Sequence, residues 1–140
     1  MSEVTSPIIL DSTGQDIVTQ LAGILGALSD GEVGSNTNGT YIKLNNGILI
    51  CYKTKTVSVT FTAWGTLYES SVINVGSPAH NFVDTPVVMA TLNNSASAAF
   101  TGTVANITNS DLGTNRVYRP NNPGTISVTV AYLAIGKWKL

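Results

Sequence analysis

The chain has 140 residues, which is enough for one compact core and too few for two domains of ordinary size. Apolar residues make up 43% of it and charged residues only 11%, against about a quarter in soluble globular proteins, so Thr, Ser and Asn must supply most of the polar surface. The net charge is −1 without any cluster of Lys and Arg, which excludes nucleic acid as an expected partner.

The N-terminal sequence MSEVTSPIIL lacks the positively charged and long apolar segments of a secretory signal. No apolar run in the chain approaches the roughly 20 residues that are needed to span a bilayer. We therefore expect synthesis in the cytoplasm, no signal peptide and no membrane partner.

Residues 12–28 predict a short helix. Ser12, Thr13 and Gln15 match a capping box, in which a hydroxyl caps the first turn and a Gln three residues later returns the bond. The stripe that follows has heptad spacing, with Leu at the a positions and Ile at the d positions: Ile17, Leu21, Ile24 and Leu28. This pattern favours three or four strands in a coiled coil. Residues 1–30 are therefore predicted to be an oligomerisation segment, and the alternative is that the helix packs on its own β-domain.

The composition changes after this segment. Residues 31–39 have almost nothing to bury and contain three glycines, so they are predicted to be a linker. Residues 40–140 are predicted to be the folded domain. Within it, Asn45-Asn46-Gly47 between the apolar runs 41–44 and 48–52 predicts a β-hairpin.

The rest of the domain also has the period of strands. Apolar and polar residues alternate in 57–62 and again in 126–132, after which Leu133 and Ile135 reverse the parity. The reversal predicts either a bulge near residues 131–134 or a strand covered on both faces. About seven short strands without an intervening helix predict a mainly β chain, an antiparallel β-sandwich preceded by the short helix. Cys51 lies in an apolar run and is expected to be buried in its core.

Three segments of the chain carry a resemblance to a known family: GTYIKLNNGILICY at residues 39–52, FVDTPVV at 82–88 and ISVTVAYLAIGKWK at 126–139. In order and separation they resemble the opening hairpin, a middle segment and the closing strand of C-terminal domains in phage and prophage tail-fibre proteins. These domains in turn look like H-type lectins, small β-sandwiches that form trimers and bind sugars.

The resemblance implies a receptor-binding module of a tail fibre, located in the virion tail after synthesis in the bacterial cytoplasm. It implies a homotrimer that attaches to a host cell-surface polysaccharide and joins other tail or baseplate proteins. A purely structural tail or virion assembly protein, which binds no ligand, is the alternative.

Arg116, Tyr118 and Arg119 are the first candidates for a ligand-binding site, because guanidinium and phenol groups suit sugar hydroxyls and anionic wall polymers. An exposed edge strand whose charges prevent aggregation is the alternative for them. His80, the only histidine, is the next candidate. Trp64 and Trp138 are suited to stacking on a sugar ring or to packing in a core or subunit interface.

The sequence does not predict catalysis. Residues 41–140 contain three carboxylates, Glu69, Asp84 and Asp111, and the chain has one histidine and one cysteine. It shows no phosphate-binding loop and no paired metal-ligand spacing. We expect a binding protein without a catalytic residue, a metal site or a cofactor.

Overall fold

The computed structural model describes Thr19, residues 31–94 and residues 99–140. Apart from Thr19, the predicted helix lies outside the described residues, together with Ile17, Leu21, Ile24 and Leu28. The oligomerisation segment therefore stays a prediction.

The described residues form ten strands. They are β1 (Glu32–Asn36), β2 (Gly39–Lys43), β3 (Ile48–Trp64), β4 (Leu67–Ser70), β5 (Ile73–Asn74), β6 (Val87–Asn94), β7 (Phe100–Thr101), β8 (Thr114–Asn115), β9 (Val117–Arg119) and β10 (Thr125–Lys137).

All strand pairs are antiparallel, which confirms the mainly β, antiparallel class. The two long strands β3 and β10 pair from Thr60 opposite Thr125 to Ile48 opposite Lys137. Strands β2 and β1 extend the sheet beside the first part of β3, and β6 pairs with β10. Strands β4, β9 and β7 continue the sheet from the other end of β3.

An antiparallel β-sandwich was predicted, but in the described ranges eight strands form one curled sheet. Strands β5 and β8 form a separate two-stranded ribbon, which is not paired with this sheet. Ile73 of the ribbon and the loop residues Val75, Phe82 and Leu112 join the sheet in a single buried core. The long β3 explains the difference, because it pairs with β2 near one end and with β4 at the other and so connects both halves of the sheet.

The predicted linker of residues 31–39 contains strand β1, so this prediction was wrong for Glu32–Asn36. The strand is largely exposed and lies at the edge of the sheet. Its stability comes from the hydrogen bonds with β2 and from Glu32, whose carboxylate accepts hydrogen bonds from Lys43 and Tyr41. Apolar patterning could not reveal a strand that buries so little.

The two apolar runs 48–52 and 57–62 are parts of the one strand β3. Between them Lys53 and Lys55 point to the same side as buried Cys51 and Val59, because alternate residues of a strand share a face. Their ammonium groups donate hydrogen bonds to backbone carbonyls of residues 74, 75 and 77, beside the ribbon. Cys51 itself is buried, as predicted, and burial raises its pKa.

The parity reversal in the last strand has a different cause from a bulge near residues 131–134. Strand β10 alternates regularly, with Tyr132 and Ala134 buried, and its register shift against β6 lies between Thr129 and Val130. Leu133 and Ile135 are simply apolar residues on the outer face of the sheet, the face that points away from the buried core.

Candidate functional site

The strongest candidate site is a cleft of about 470 Å³ beside the last residues of β3 and strands β4, β7 and β9. This volume falls in the range of small-molecule sites. The sheet brings its wall together: Glu69 pairs with Tyr118, and Tyr118 pairs with Phe100, so their side chains share one face. We call this feature the aromatic cleft, and its residues used below are Trp64, Phe100, Gly102, Asn115, Arg116 and Tyr118.

Three aromatic rings line the aromatic cleft. The ring of Tyr118 lies 5.3 Å from that of Trp64 and 5.5 Å from that of Phe100, measured between centroids, and it is stacked on Phe100. Trp64 is 55% exposed and Phe100 52% exposed. Large aromatic side chains with this exposure offer flat apolar faces to a ligand. The C–H face of a sugar ring is also flat and apolar, so it can stack on such a side chain.

Arg116 forms a polar part of the wall. Its Nη1 lies 3.1 Å from Oε1 of Glu69 and donates a hydrogen bond of 3.0 Å to the carbonyl of Ser70. These contacts fix the orientation of the guanidinium. A planar group with five N–H donors, held in place in this way, is suited to hydroxyl or carboxylate oxygens of a ligand.

Asn115 supplies a buried amide. It is 3% exposed, and its Oδ1 accepts a hydrogen bond of 2.7 Å from the hydroxyl of Tyr132. Among the residues that the structure describes, its Nδ2 has no hydrogen-bond partner. Because this amide is buried against Tyr132, Asn115 supports the wall of the cleft from the core side and does not itself present a donor to a ligand.

Gly102 allows Tyr118 to lie against the backbone. A Cβ atom built at Gly102 would lie 2.8 Å from Cε2 of Tyr118, closer than carbon atoms normally approach. The absence of a side chain at this position therefore sets where the central ring of the aromatic cleft lies.

The structure brings together two of the three strand residues that the sequence singled out. Arg116 and Tyr118 both line the aromatic cleft. Arg119 lies on the opposite face of the sheet, because it follows Tyr118 directly in β9 and pairs with Tyr68. A role in ligand binding for any of them stays a prediction.

His80 lies at another place in the fold. Its ring packs on that of Tyr41, with 5.3 Å between centroids, and its Nδ1 lies 2.8 Å from the carbonyl of Asn81. It does not line the aromatic cleft. Its selection as a ligand-binding residue stays a prediction that the geometry of the cleft does not favour.

Sequence reasoning missed Phe100, Gly102 and Asn115. No local signal marks them, because each enters the aromatic cleft only through the pairing or packing of segments that are distant in the chain. Trp64 was noted for stacking on a sugar ring or for packing, and in the structure its ring lies beside that of Tyr118 in the aromatic cleft. Trp138 lies elsewhere, with the ammonium groups of Lys43 and Lys139 over its ring.

In the described ranges, no group of three or more His, Cys, Asp and Glu side chains is arranged to hold a metal ion. No helix in them is long and apolar enough to cross a membrane.

No family model matches the sequence, and no curated protein matches it. Among solved structures, the chain is similar to the N-truncated tail fiber of an R1-type pyocin. The likeness covers 88% of this chain and 98% of the other, with a TM-score of 0.51 and 14% sequence identity. At that identity the similarity shows a shared fold.

Proposed function

We propose that this chain is the receptor-binding module of a phage or prophage tail fibre, and that it binds a host-surface saccharide in the aromatic cleft. In this proposal the module is a homotrimer in the virion tail, joined to other tail or baseplate proteins. It binds its ligand without catalysis. The fold that it shares with a pyocin tail fiber supports the tail-fibre role.

One observation carries the saccharide proposal. The aromatic cleft combines the exposed rings of Trp64 and Phe100 with the fixed guanidinium of Arg116. Sugar rings need both a flat apolar contact and directional hydrogen bonds, and here the two kinds of group face one space. A single shallow site should bind weakly, and several sites in one oligomer raise the avidity by about 10²–10⁴.

The test is a titration with soluble oligosaccharides prepared from cell walls of host candidates, because a monovalent ligand avoids the effect of avidity. We expect Trp64→Ala to weaken binding about tenfold, which corresponds to roughly 1.4 kcal/mol for a lost aromatic contact. Its ring is largely exposed, so the fold should tolerate the change.

A matched pair of arginine variants gives the control. Arg116→Ala should weaken binding, whereas Arg119→Ala, which removes the same group from the opposite face of the sheet, should leave it unchanged. Equal affinity in the unmodified protein, Trp64→Ala and Arg116→Ala would remove the aromatic cleft from the proposal.

A tail or virion assembly protein without a saccharide ligand is the second candidate. The apolar residues on the outer face of the sheet, such as Leu133 and Ile135, favour it because they suit contact with protein. If no wall oligosaccharide binds and the protein still assembles into tails, this second function is the better one.

A further inference from the structure

A row of apolar side chains crosses five strands on the outer face of the sheet. The pairing of β1, β2, β3, β10 and β6 places these residues side by side: Val33, Ile42, Ile50, Ile135 and Val87. Tyr52, Leu133 and Met89 lie beside this row, one pair further along the same three strands β3, β10 and β6. Ile48 borders it on the other side. We call these nine residues the outer apolar face.

The outer apolar face lies at the upper end of what an ordinary free surface carries. Seven of its side chains are exposed by between 36% and 69%. Together they expose on the order of 700 Å², whereas the largest apolar patch of a typical monomer is about 300–600 Å². A standard protein interface buries roughly 800 Å² on each partner, so the face has the size of half an interface.

The face has a sharp boundary along the strands. Beyond Tyr52 the outward residues of β3 change to Thr54, Thr56, Ser58 and Thr60, and beyond Leu133 those of β10 change to Ala131, Thr129 and Ser127. This hydroxyl-rich middle part separates the outer apolar face from the exposed rings of Trp64 and Phe100 at the other end of the sheet. Folding does not require a bounded apolar patch on an exposed face, whereas contact with a partner favours one.

The position of the face points to a second copy of the chain as that partner. The row begins at Val33 of β1, three residues after residues 1–30, the segment predicted to gather several copies. Because so few residues separate Val33 from this segment, association of the segments would bring the β1 strands of the copies close together. None of the nine residues is charged, and Lys137, the cross-strand partner of Ile48, lies at the border of the face. Identical faces can therefore approach one axis with a cation only at their border.

We infer that the outer apolar face is the interface through which the β-domain of one copy packs against its neighbours. The inference rests on the homo-oligomer of the proposed function and is independent of the aromatic cleft. It assigns the two surfaces different tasks: the outer apolar face assembles the module, and the aromatic cleft meets the ligand.

The test compares the reactivity of two introduced thiols in the full chain. Met89→Cys places a thiol within the outer apolar face, and Ser58→Cys places one at the hydroxyl-rich end of the same sheet face; both positions are exposed in the single chain. The native Cys51 is buried and should contribute a slow background that the unmodified protein measures. Sedimentation of the same samples gives the oligomeric state.

We expect an oligomer in which the Met89→Cys thiol reacts with a maleimide at least about tenfold more slowly than the Ser58→Cys thiol. Similar rates at the two positions would overturn the inference, whether the protein is an oligomer or a monomer. Protection of position 89 in a monomer would also overturn it, because residues 1–30 of the same chain would then be the cover.

A charge substitution provides an independent readout. Met89→Lys should shift the sedimentation profile toward smaller species, and Ser58→Lys should not; no difference between them would contradict the inference. Failure of the saccharide titration would leave both readouts unaffected, so the two proposals are tested separately.

Discussion

At the scale of single residues, buried polar side chains are kept where a backbone or side-chain partner faces them. Lys53 and Lys55 lie on the core side of β3 because carbonyls of residues 74, 75 and 77 accept hydrogen bonds from their ammonium groups. Burial lowers the pKa of Lys53. Tyr132 follows the same rule, since it is 1% exposed and its hydroxyl donates a hydrogen bond to Oδ1 of Asn115.

The ionisation of Tyr132 predicts how stability depends on pH. Burial raises the pKa of Tyr132 to about 12, while an unfolded tyrosine titrates near 10. Because the folded pKa is the higher one, this contribution to stability is complete below about pH 10 and is lost as the pH rises toward 12. Urea unfolding of the unmodified protein should therefore show a midpoint that falls more steeply across this interval than that of Tyr132→Phe.

The Tyr132→Phe variant also tests the hydrogen bond. It removes the donor to Asn115 and should lower the free energy of unfolding at pH 7 by about 1–3 kcal/mol. Parallel pH profiles for the two proteins above pH 10 would contradict the assignment of this titration to Tyr132.

At the scale of elements, the hairpin between β2 and β3 shows how a local signal is reinforced from a distance. Gly47 has a φ of 92°, the left-handed conformation that the Asn-Gly sequence favours. Trp138, which follows β10, donates its indole Nε1–H to the carbonyl of Leu44 and its backbone N–H to that of Gly47. These two hydrogen bonds thus connect the segment after β10 to the hairpin between β2 and β3 and stabilise it.

We expect Trp138→Phe to lower the free energy of unfolding by about 1 kcal/mol, because a ring remains but the donor to Leu44 is lost. Denaturant titration measures this. Trp64→Phe is the matched control, since it makes the same exchange at an exposed ring and should change stability by less than about 0.5 kcal/mol. Equal losses in both variants would show that the hydrogen bond is not the cause.

At the scale of the whole molecule, two apolar surfaces bear on assembly. One is the stripe of Leu21 and Ile24 with its heptad neighbours, predicted from spacing alone. The other is the outer apolar face, which only strand pairing reveals. Each can bury the same surface in every copy of a closed ring.

Replacing Leu21 and Ile24 by Asp should weaken the oligomer, because unpaired charges would be brought to the axis. Analytical ultracentrifugation over a range of concentrations measures the change. Thr19→Asp/Ala22→Asp adds the same charge on the side of the predicted helix away from the stripe, and its oligomer should persist. A monomeric unmodified protein would refute the coiled coil, and an unchanged trimer in the Leu21→Asp/Ile24→Asp variant would leave assembly to the β-domain.

The sequence by itself determined what local alternation can encode. The hairpin at Asn45-Asn46-Gly47, the burial of Cys51 and the alternation in β10 follow from the period of two and from turn chemistry. The spacing of Arg116 and Arg119 also predicts that their side chains lie on opposite faces of the sheet, because residues three apart in an extended strand point to opposite faces.

Only the tertiary structure decided which distant segments meet. Phe100 lies beside Tyr118 because β7 pairs with β9, and Asn115 is buried because Tyr132 reaches it from β10. The edge strand β1 forms through hydrogen bonds to β2 with little burial of its own. Such contacts depend on the free energy of the whole sheet, in which non-local pairing selects neighbours that no short stretch of sequence specifies.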